Sequence, residues 1–381
     1  MRITRRHFLG SMGAAASLVL WPSLPGQAAP ASAAGTRLLV VLLRGALDGL
    51  HAMPPLHDPH YTRLRGALAV QEARPLEGGF GLHPALGTFA ALYAQGQLLP
   101  VLAVAPPYRQ RSHFDAQDCL ENGTARPHGA STGWLNRCGL ALGAGEALAM
   151  AAVTPLIVRG PGAVRGWSPP LPQQVDPLLL QRLQPLYAAD PVLSGDFDRA
   201  LEDGRVDAGA GIRGGRLARA MEVAAGFMAA TDGPRLGFVE DSGWDTHSQQ
   251  APVLARKLAE LDAGLRAFRD GSGAGWSRTV VAVVTEFGRT AAANGTAGTD
   301  HGTGGVAFLA GGAVRGGRVA GDWPGLAPAD LNEGRDLRAT SDLRALFKGV
   351  LGPHLGLAES VLETQVFPDS RKVRALDGLL A

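Results

Sequence analysis

The sequence predicts an α/β fold in which a mostly parallel sheet lies between layers of helices. Two observations lead to this prediction. Apolar segments of strand length alternate with segments whose apolar residues have helical spacing, and 46% of the 381 residues are hydrophobic. A chain of this length can bury a large core, and the high hydrophobic share excludes an intrinsically disordered protein. The 52 glycines and 26 prolines indicate many loops between the elements.

Short uninterrupted apolar runs, bounded by glycine, proline or charged residues, predict the strands. The predicted strands lie at residues 36–43, 98–105, 149–158, 236–239, 279–285 and 306–309. Strands with no polar face are typical of a parallel sheet that is covered on both sides. The glycine- and proline-rich segment 160–174 predicts an irregular loop.

Apolar residues three and four positions apart predict the helices that connect these strands. The predicted helices lie at residues 84–95, 113–121, 176–202, 215–230 and 254–268. In the last of them, Leu254, Leu258 and Leu265 share one face. Since helices follow strands along the chain, we expect one α/β domain at residues 34–381. We expect an elaborated, cap-like insertion in that domain at about residues 122–232.

Residues 1–33 have the organisation of a twin-arginine export signal. The twin arginines at positions 5 and 6 precede an apolar run at residues 12–20, and an A-x-A cleavage pattern ends the segment at Ala33. The apolar run is too short to span a bilayer, so no stable membrane anchor is expected. The sequence therefore predicts a periplasmic or secreted protein whose partner during export is the twin-arginine translocase.

The charge balance argues against a nucleic-acid partner. The formal net charge is +2, and three of the arginines lie within the predicted signal. Removing these three charges leaves −1 for the exported chain, so the excess of basic residues does not indicate a binding surface for nucleic acid. Cys119 and Cys138 lack the spacing of a zinc ribbon or a redox C-x-x-C motif. They predict either buried thiols or a single disulfide.

Polar residues follow the predicted strands, at the edge where parallel α/β sheets bind ligands. These residues are Asp48, Ser112, Asp245, His247, Glu286, Arg289, Asp300 and His301. Carboxylates and imidazoles are the ligands that zinc, manganese and similar divalent ions accept. The alternative for each residue is a structural role, such as a helix cap. Their concentration at one edge favours a site for one or more divalent metal ions, zinc or manganese.

Ser112 precedes a predicted helix and permits two interpretations. With Asp115 three residues later, it matches the N-cap of a capping box. A hydroxyl at a helix N-terminus can instead be a nucleophile that a metal ion activates. The G-x-S-x-G pattern around Ser131 is interpreted as a chance match, because a polar segment rather than a strand precedes it.

Several motifs in combination, with the twin-arginine start, resemble the domain-of-unknown-function 1501 family. The motifs are Arg44–Leu50, Ser112–Asp118, Gly133–Arg137, Gly243–His247, Thr285–Thr290 and Gly298–Gly302. The resemblance covers nearly all of the chain after the signal. It implies an alkaline-phosphatase/sulfatase-like fold, because that family is similar to a branch of the alkaline phosphatase and sulfatase superfamily. It implies no settled activity.

The resemblance also implies roles for residues at the sheet edge. Asp48 matches a metal-ligating aspartate of the superfamily's two-metal site, and Ser112 matches its nucleophile. Asp245 and His247 resemble a ligand pair of that site, with shorter spacing. The chain departs from the superfamily in lacking the sulfatase motif C/S-x-P-x-R.

Two registers compete for the remaining ligands. In one, Asp300-His301 matches the superfamily's Asp-His-Gly motif directly. In the other, Glu286 takes that place and His301 matches a later histidine, with Asp300 as a ligand or as a residue that orients one. We prefer the second register because Glu286 directly ends a strand, although Phe287 stands where the superfamily has a histidine.

These observations lead to an exported, metal-dependent hydrolase of phosphate or sulfate esters, acting on a small molecule or a glycan. Ser112 or a metal-bound water is the nucleophile in this hypothesis. Arg109, Arg111 or Arg289 holds an oxygen of the oxyanion, with Arg289 as the preferred candidate. The alternative is a catalytically inactive periplasmic protein that retains the sulfatase-like fold and binds a partner or a glycan. An esterase that uses Ser131 is a third hypothesis, which the missing strand disfavours.

Overall fold

The structure is a computed structural model that describes residues 35–143, 146–168 and 215–381. The strands are β1 Arg37–Leu43, β2 Arg74–Pro75, β3 Gly81–Leu82, β4 Leu98–Ala105, β5 Ala147–Met150, β6 Val164–Trp167, β7 Leu236–Asp241, β8 Thr279–Val284, β9 Gly305–Ala310 and β10 Ser341–Asp342. The α-helices are α1 Gly49–Ala52, α2 Tyr61–Arg65, α3 Gly87–Ala94, α4 His113–Asn122, α5 Trp134–Ala141, α6 Gly215–Ala229, α7 Gln250–Ser272, α8 Leu343–Leu355 and α9 Glu359–Val361. Short 3₁₀- or π-helical segments lie at Gly66–Leu68, Glu77–Gly79, Leu156–Val158, Gly273–Arg278 and Leu362–Val366.

Eight of these strands form one sheet in the order β10-β4-β9-β8-β1-β7-β5-β6. The pairs β1–β7, β1–β8, β5–β6, β5–β7 and β4–β10 are parallel. Only β9 runs antiparallel to its two neighbours in the described sheet, β4 and β8. The predicted mostly parallel sheet is confirmed.

Helices cover both faces of this sheet, as the uninterrupted apolar strands predict. Alternate residues of β1 point to opposite faces. The odd-numbered residues from Leu39 to Leu43 pack in a buried cluster with residues of α3, α6 and α7. The even-numbered residues from Leu38 to Leu42 pack in a second cluster with residues of α5 and α8. Both cysteines are buried, free thiols.

The register of the central strands brings their carboxyl ends to one edge. Leu43 at the end of β1 pairs with Asp241 at the end of β7, and Leu42 pairs with Val284 at the end of β8. The segments that follow these three strands are therefore neighbours in space. They carry most of the polar residues that the sequence singles out.

Two predicted elements differ from the structure. The strand predicted at 149–158 is the shorter β5, and a separate turn follows at Leu156–Val158. Pro155 precedes that turn and has no backbone N–H to donate to a sheet. The loop predicted at 160–174 contains β6, which lies at the end of the sheet order and is only partly buried. An edge strand of this kind lacks the continuous apolar run by which buried strands are recognised.

The segment predicted as an insertion, 122–232, contributes to the main sheet where it is described. Both β5 and β6 are strands of that sheet, and α6 packs beside α7 on one face. The predicted signal peptide and the predicted helix at 176–202 lie outside the described residues. Among the helices that the structure describes, none combines the length and the apolar character that crossing a membrane requires.

Candidate metal centre

Three histidine rings and one aspartate meet at the carboxyl edge of the sheet. Asp245 and His247 follow β7, His113 begins α4, and His301 precedes β9. One ligand atom from each of His113, Asp245 and His301 lies within 4.8 Å of the others. The Nε2 atom of His247 lies 3.0 Å from His301 Nε2 and 3.0 Å from Asp245 Oδ1.

Three further distances in this cluster are 3.4 Å or less. His113 Nε2 lies 2.9 Å from His301 Nε2 and 3.4 Å from Asp245 Oδ2. His301 Nε2 lies 3.3 Å from Asp245 Oδ1. The Nε2 atoms of all three rings thus face an oxygen of Asp245, and the ligand atoms that all lie close to one another are those of His113, Asp245 and His301. Extra protons on the rings or one divalent cation would satisfy these contacts, so metal binding competes with protonation.

The other nitrogen of each ring is held by an oxygen that can only accept a hydrogen bond. An ionised carboxylate and a carbonyl oxygen have no proton to donate, so Nδ1 must be the donor in every ring. Each neutral ring then presents a free Nε2 lone pair, as metal-binding histidines do. The acceptors are Glu286 Oε1 for His113 at 2.8 Å, Asp300 Oδ1 for His247 at 3.1 Å and the Arg111 carbonyl for His301 at 3.1 Å.

Asp245 contacts the guanidinium of Arg289, whose side chain is fully buried. Arg289 Nη1 donates to Asp245 Oδ1, and Arg289 Nε donates to Thr299 Oγ1 at 3.2 Å. Burial alone would raise the pKa of Asp245, but the hydrogen bond and charge of Arg289 outweigh burial and lower it. Asp245 is therefore ionised at neutral pH. The guanidinium predicted to hold an oxyanion is here engaged with protein groups.

The two registers of the sequence differ in whether Asp300 or Glu286 matches the superfamily's ligand. In the structure both carboxylates have the same position relative to the rings. Each contacts the outer nitrogen of a histidine rather than the Nε2 atom that faces Asp245. Glu286 is buried, and its Oε1 also accepts from Gly45 N at 2.8 Å and from Gln117 Nε2 at 2.7 Å. Burial would raise the pKa of Glu286, yet the hydrogen bonds from His113 and Gln117 lower it. Both carboxylates are placed to orient a ring.

The sequence predicts no site role for His113, which the structure places beside His301 and Asp245 in the cluster. Burial would lower the pKa of His113, but the hydrogen bond and charge of Glu286 outweigh burial and raise it. In His301 the pKa is lowered, first by burial and then by the neighbouring His113. The signal in the sequence was the position of His113 after β4, at the same edge as the other residues.

Asp48, predicted as a metal ligand, lies apart from the three rings and pairs with Arg65. Arg65 Nη1 and Nη2 contact Asp48 Oδ2 and Oδ1 at 2.5 and 2.7 Å, and both side chains are buried. Asp48 Oδ1 also accepts from His51 N at 3.2 Å, and Oδ2 accepts from Gln250 Nε2 at 2.7 Å. The carboxylate that the resemblance assigned to a metal is thus engaged with a guanidinium and two further donors.

Ser112 is the N-cap residue of α4, immediately before His113. Its Oγ accepts a long hydrogen bond of 3.5 Å from the backbone N–H of Asp115. The structure thus shows the capping interaction, and a role as nucleophile stays a prediction. Ser131 follows a segment without a strand, and α5 begins only at Trp134, so the elbow geometry of an esterase is missing around it.

The charges around the rings suit a divalent cation. Asp245, Glu286 and Asp300 each contact one or more of the three imidazoles, and the guanidinium of Arg289 balances one of these negative charges. The donor set of imidazole nitrogens and one carboxylate is the set that zinc and manganese accept. The residues therefore fit a divalent metal ion.

Comparison with known proteins finds one family and several solved structures. A family model described as "Protein of unknown function (DUF1501)" matches residues 197–366, which include Asp245, His247 and His301. A comparison with curated proteins finds no match.

Three of the solved structures show how distant these similarities are. The structure of Ps i-CgsB in complex with k-i-k-neocarrahexaose has a TM-score of 0.42 at 10% identity, with 89% of this chain and 77% of that chain covered. The phosphonate monoester hydrolase of Agrobacterium radiobacter has a TM-score of 0.39 at 12% identity, with coverages of 85% and 74%. BT1596, a 2-O GAG sulfatase, has a TM-score of 0.38 at 11% identity, with coverages of 90% and 73%.

Proposed function

We propose that this protein is an exported hydrolase of phosphate or sulfate esters that depends on a divalent metal ion. The ion, zinc or manganese, is held by His113, Asp245, His247 and His301. One observation carries the proposal: the Nε2 atoms of His113, His247 and His301 each lie 3.0–3.4 Å from an oxygen of Asp245, and every ring has its outer nitrogen fixed by an acceptor. Proteins use this arrangement to orient histidine ligands toward a metal.

The metal would act as a Lewis acid toward an ester oxygen and supply hydroxide at neutral pH. The protein's residues prepare the site for that chemistry. Arg289 keeps Asp245 ionised, and Glu286 and Asp300 hold two of the rings in the required tautomer. The preparation is already complete in the folded chain, which lowers the entropic cost of binding an ion.

A substrate can approach this cluster from solvent. The side chains of His247 and Asp245 are 45% and 39% exposed, whereas Glu286 and Arg289 behind them are fully buried. The buried side of the site therefore holds two of the residues that orient the ligands, and the exposed side, where Asp245 and His247 lie, admits the ester. The choice of phosphate or sulfate esters as substrate rests on the motifs of the sequence, Gly243–His247 and Gly298–Gly302 among them.

The nucleophile is either the Ser112 hydroxyl or a water molecule. Ser112 is adjacent to His113 in the chain, and its capping hydrogen bond is long at 3.5 Å, so a rotation of the hydroxyl away from the helix gives up little. A water molecule would act as the nucleophile without any nucleophilic side chain. The two cases differ in what Ser112→Ala does to the reaction.

The test is elemental analysis of protein purified without chelators, followed by turnover of an aryl phosphate and an aryl sulfate. We expect a bound divalent metal and metal-dependent turnover of one of the two esters. Ser112→Ala should abolish turnover and keep the metal if the hydroxyl is the nucleophile, and should retain turnover if water is. Protein that binds no added zinc or manganese would refute the proposal. Metal without turnover of any ester would favour the inactive binding protein instead.

The export proposal rests on the twin arginines at positions 5 and 6 and the apolar run that follows them. Replacing both arginines by lysine keeps the charge but removes the side chains that the twin-arginine pathway requires. We expect the precursor to stay in the cytoplasm, as measured by cell fractionation with an antibody to the chain. Normal processing of the double variant would overturn the pathway assignment.

A further inference from the structure

Arg111 contacts the candidate metal centre through its backbone. Its carbonyl oxygen accepts the Nδ1 hydrogen bond of His301, at 3.1 Å. Arg111 has a φ of +61°, in the left-handed region that residues with a side chain rarely adopt. A strained residue beside a functional site persists because surrounding contacts hold it there.

The side chain of Arg111 supplies these contacts. Its Nη2 lies 2.7 Å from Glu333 Oε2 and 3.0 Å from Asp336 Oδ1. Asp336 is fully buried, and its Oδ2 accepts a hydrogen bond from Thr303 Oγ1 at 2.6 Å. Thr303 lies two residues after His301. The guanidinium is thus connected, through Asp336, to the loop that carries His301.

Arg111 is therefore joined to His301 by two routes, the carbonyl and the guanidinium. It also lies two residues before His113, whose Nε2 is 2.9 Å from His301 Nε2. Arg111 is thus two residues from one of these rings in the chain and hydrogen-bonded to the other.

We propose that Arg111 is a positioning residue that holds the His301 ring ready for a metal ion. It does so by directing its carbonyl at Nδ1, and the contact of its guanidinium with Asp336 keeps its backbone in the left-handed conformation. This inference rests on the proposed function, because it concerns the same metal centre. It assigns Arg111 no contact with the metal or the substrate.

Three variants test the inference. Arg111→Lys keeps one positive charge but lacks the guanidinium geometry. Arg111→Gly allows the left-handed backbone while removing the side chain. Thr303→Val keeps the shape of the side chain and removes the hydroxyl that binds Asp336. Arg109→Lys, in the same segment but hydrogen-bonded to the Pro106 carbonyl, is the matched control.

The measurements are zinc affinity by competition with a chelator, the visible absorption spectrum of the cobalt-loaded protein, and the thermal unfolding midpoint without metal. We expect Arg111→Lys and Thr303→Val each to lose zinc affinity by about 10-fold and to change the cobalt spectrum. Arg111→Gly should lose less than Arg111→Lys, because glycine adopts the left-handed backbone without a guanidinium to hold it. The control should retain both. A merely structural role would lower the unfolding midpoint and leave the cobalt spectrum as it is in the wild type, and that result would overturn the inference.

The double variant Arg111→Lys with Thr303→Val sharpens the test. Because both residues act through Asp336, the combined loss of affinity should be smaller than the product of the two single losses. A fully multiplicative loss would contradict the connection through Asp336. If the wild type binds neither zinc nor cobalt, the proposed function fails and this inference fails with it. If the wild type binds both and the Arg111 variants match it, only this inference fails.

Discussion

Two aspartates at the same edge of the sheet, Asp48 and Asp245, have different surroundings although each contacts a buried arginine. Asp48 follows β1 and pairs with Arg65, and the exposed fractions of the two side chains are 1% and 0%. Asp245 follows β7 and contacts Arg289, but its side chain is 39% exposed. The first pair is enclosed, and the second is open on one side.

The enclosure of Asp48 decides its role. Both of its oxygens accept from Arg65, and His51 and Gln250 add one donor each. Those four contacts compensate a buried carboxylate with donors from the protein itself. Asp245 contacts one guanidinium and the Nε2 atoms of three imidazoles. The difference teaches that a carboxylate is available to a cation only where the protein leaves its charge partly uncompensated, and the sequence alone does not show where that is.

The two aspartates are nevertheless connected. Gln250 donates to Asp48 and accepts from Thr299 at 2.6 Å, and Thr299 in turn accepts from Arg289. Arg289 then contacts Asp245. A chain of hydrogen bonds thus connects the enclosed Asp48–Arg65 pair to the open site at Asp245. Two predictions test this division of roles.

The larger effect is expected at the enclosed pair. Arg65→Met leaves the Asp48 charge buried without its partner, so the free energy of unfolding should fall by about 3–5 kcal/mol. Asp48→Asn combined with Arg65→Met removes the charge as well and should recover most of that loss. Chemical denaturation of the metal-free protein measures both values.

Arg63→Met is the matched control, because Arg63 lies in the same helix with an exposed side chain. It should change stability by no more than about 0.5 kcal/mol. A loss for Arg65→Met as small as that of the control would show that the pair contributes nothing. The Asp48 charge would then not depend on Arg65 for compensation, and the contrast drawn between the two aspartates would be wrong.

The smaller effect, in free energy, is expected at the open site. His113→Ala removes one of the three ring nitrogens, so zinc affinity should fall by about 100-fold or more, at least the upper loss typical of residues behind a ligand. Asp48→Asn contacts none of the rings and should cost less than about 10-fold. Isothermal titration of zinc into metal-free protein measures both affinities.

His128→Ala serves as the control, since His128 is exposed and pairs with Asp118 away from the cluster. Its zinc affinity should equal that of the wild type. Should His113→Ala also bind zinc like the wild type, His113 would leave the ligand set. A large loss for Asp48→Asn would instead show that the enclosed aspartate controls the open site through Gln250 and Arg289.

The fold was predictable where burial is continuous along a strand. The apolar runs at 36–43 and 279–285 predict β1 and β8 to within one residue, because both faces of a central strand are covered. By contrast, β6 is a short, partly exposed strand that pairs only with β5 in the described sheet. The formation of β6 depends on pairing with β5, and no local sequence pattern predicts it.

The candidate site was predictable in part for the same reason. Asp245, His247 and His301 were expected together because they follow or precede strands that end at one edge. His113 was interpreted only as the first residue of a helix, since a single histidine there has no distinguishing pattern. The structure makes His113 a candidate ligand because Glu286, which lies 173 positions away in the chain, contacts its Nδ1.

The sequence by itself determined the α/β class, the main strands and the edge at which polar residues collect, because these follow from local apolar periodicity. Tertiary structure alone decided which of those residues share a space. Arg65 pairs with Asp48 across 17 positions, and the Arg111 carbonyl contacts His301 across 190. Contacts between distant segments depend on distances of a few ångström, whereas residue type and spacing determine only which chemistry each segment can offer.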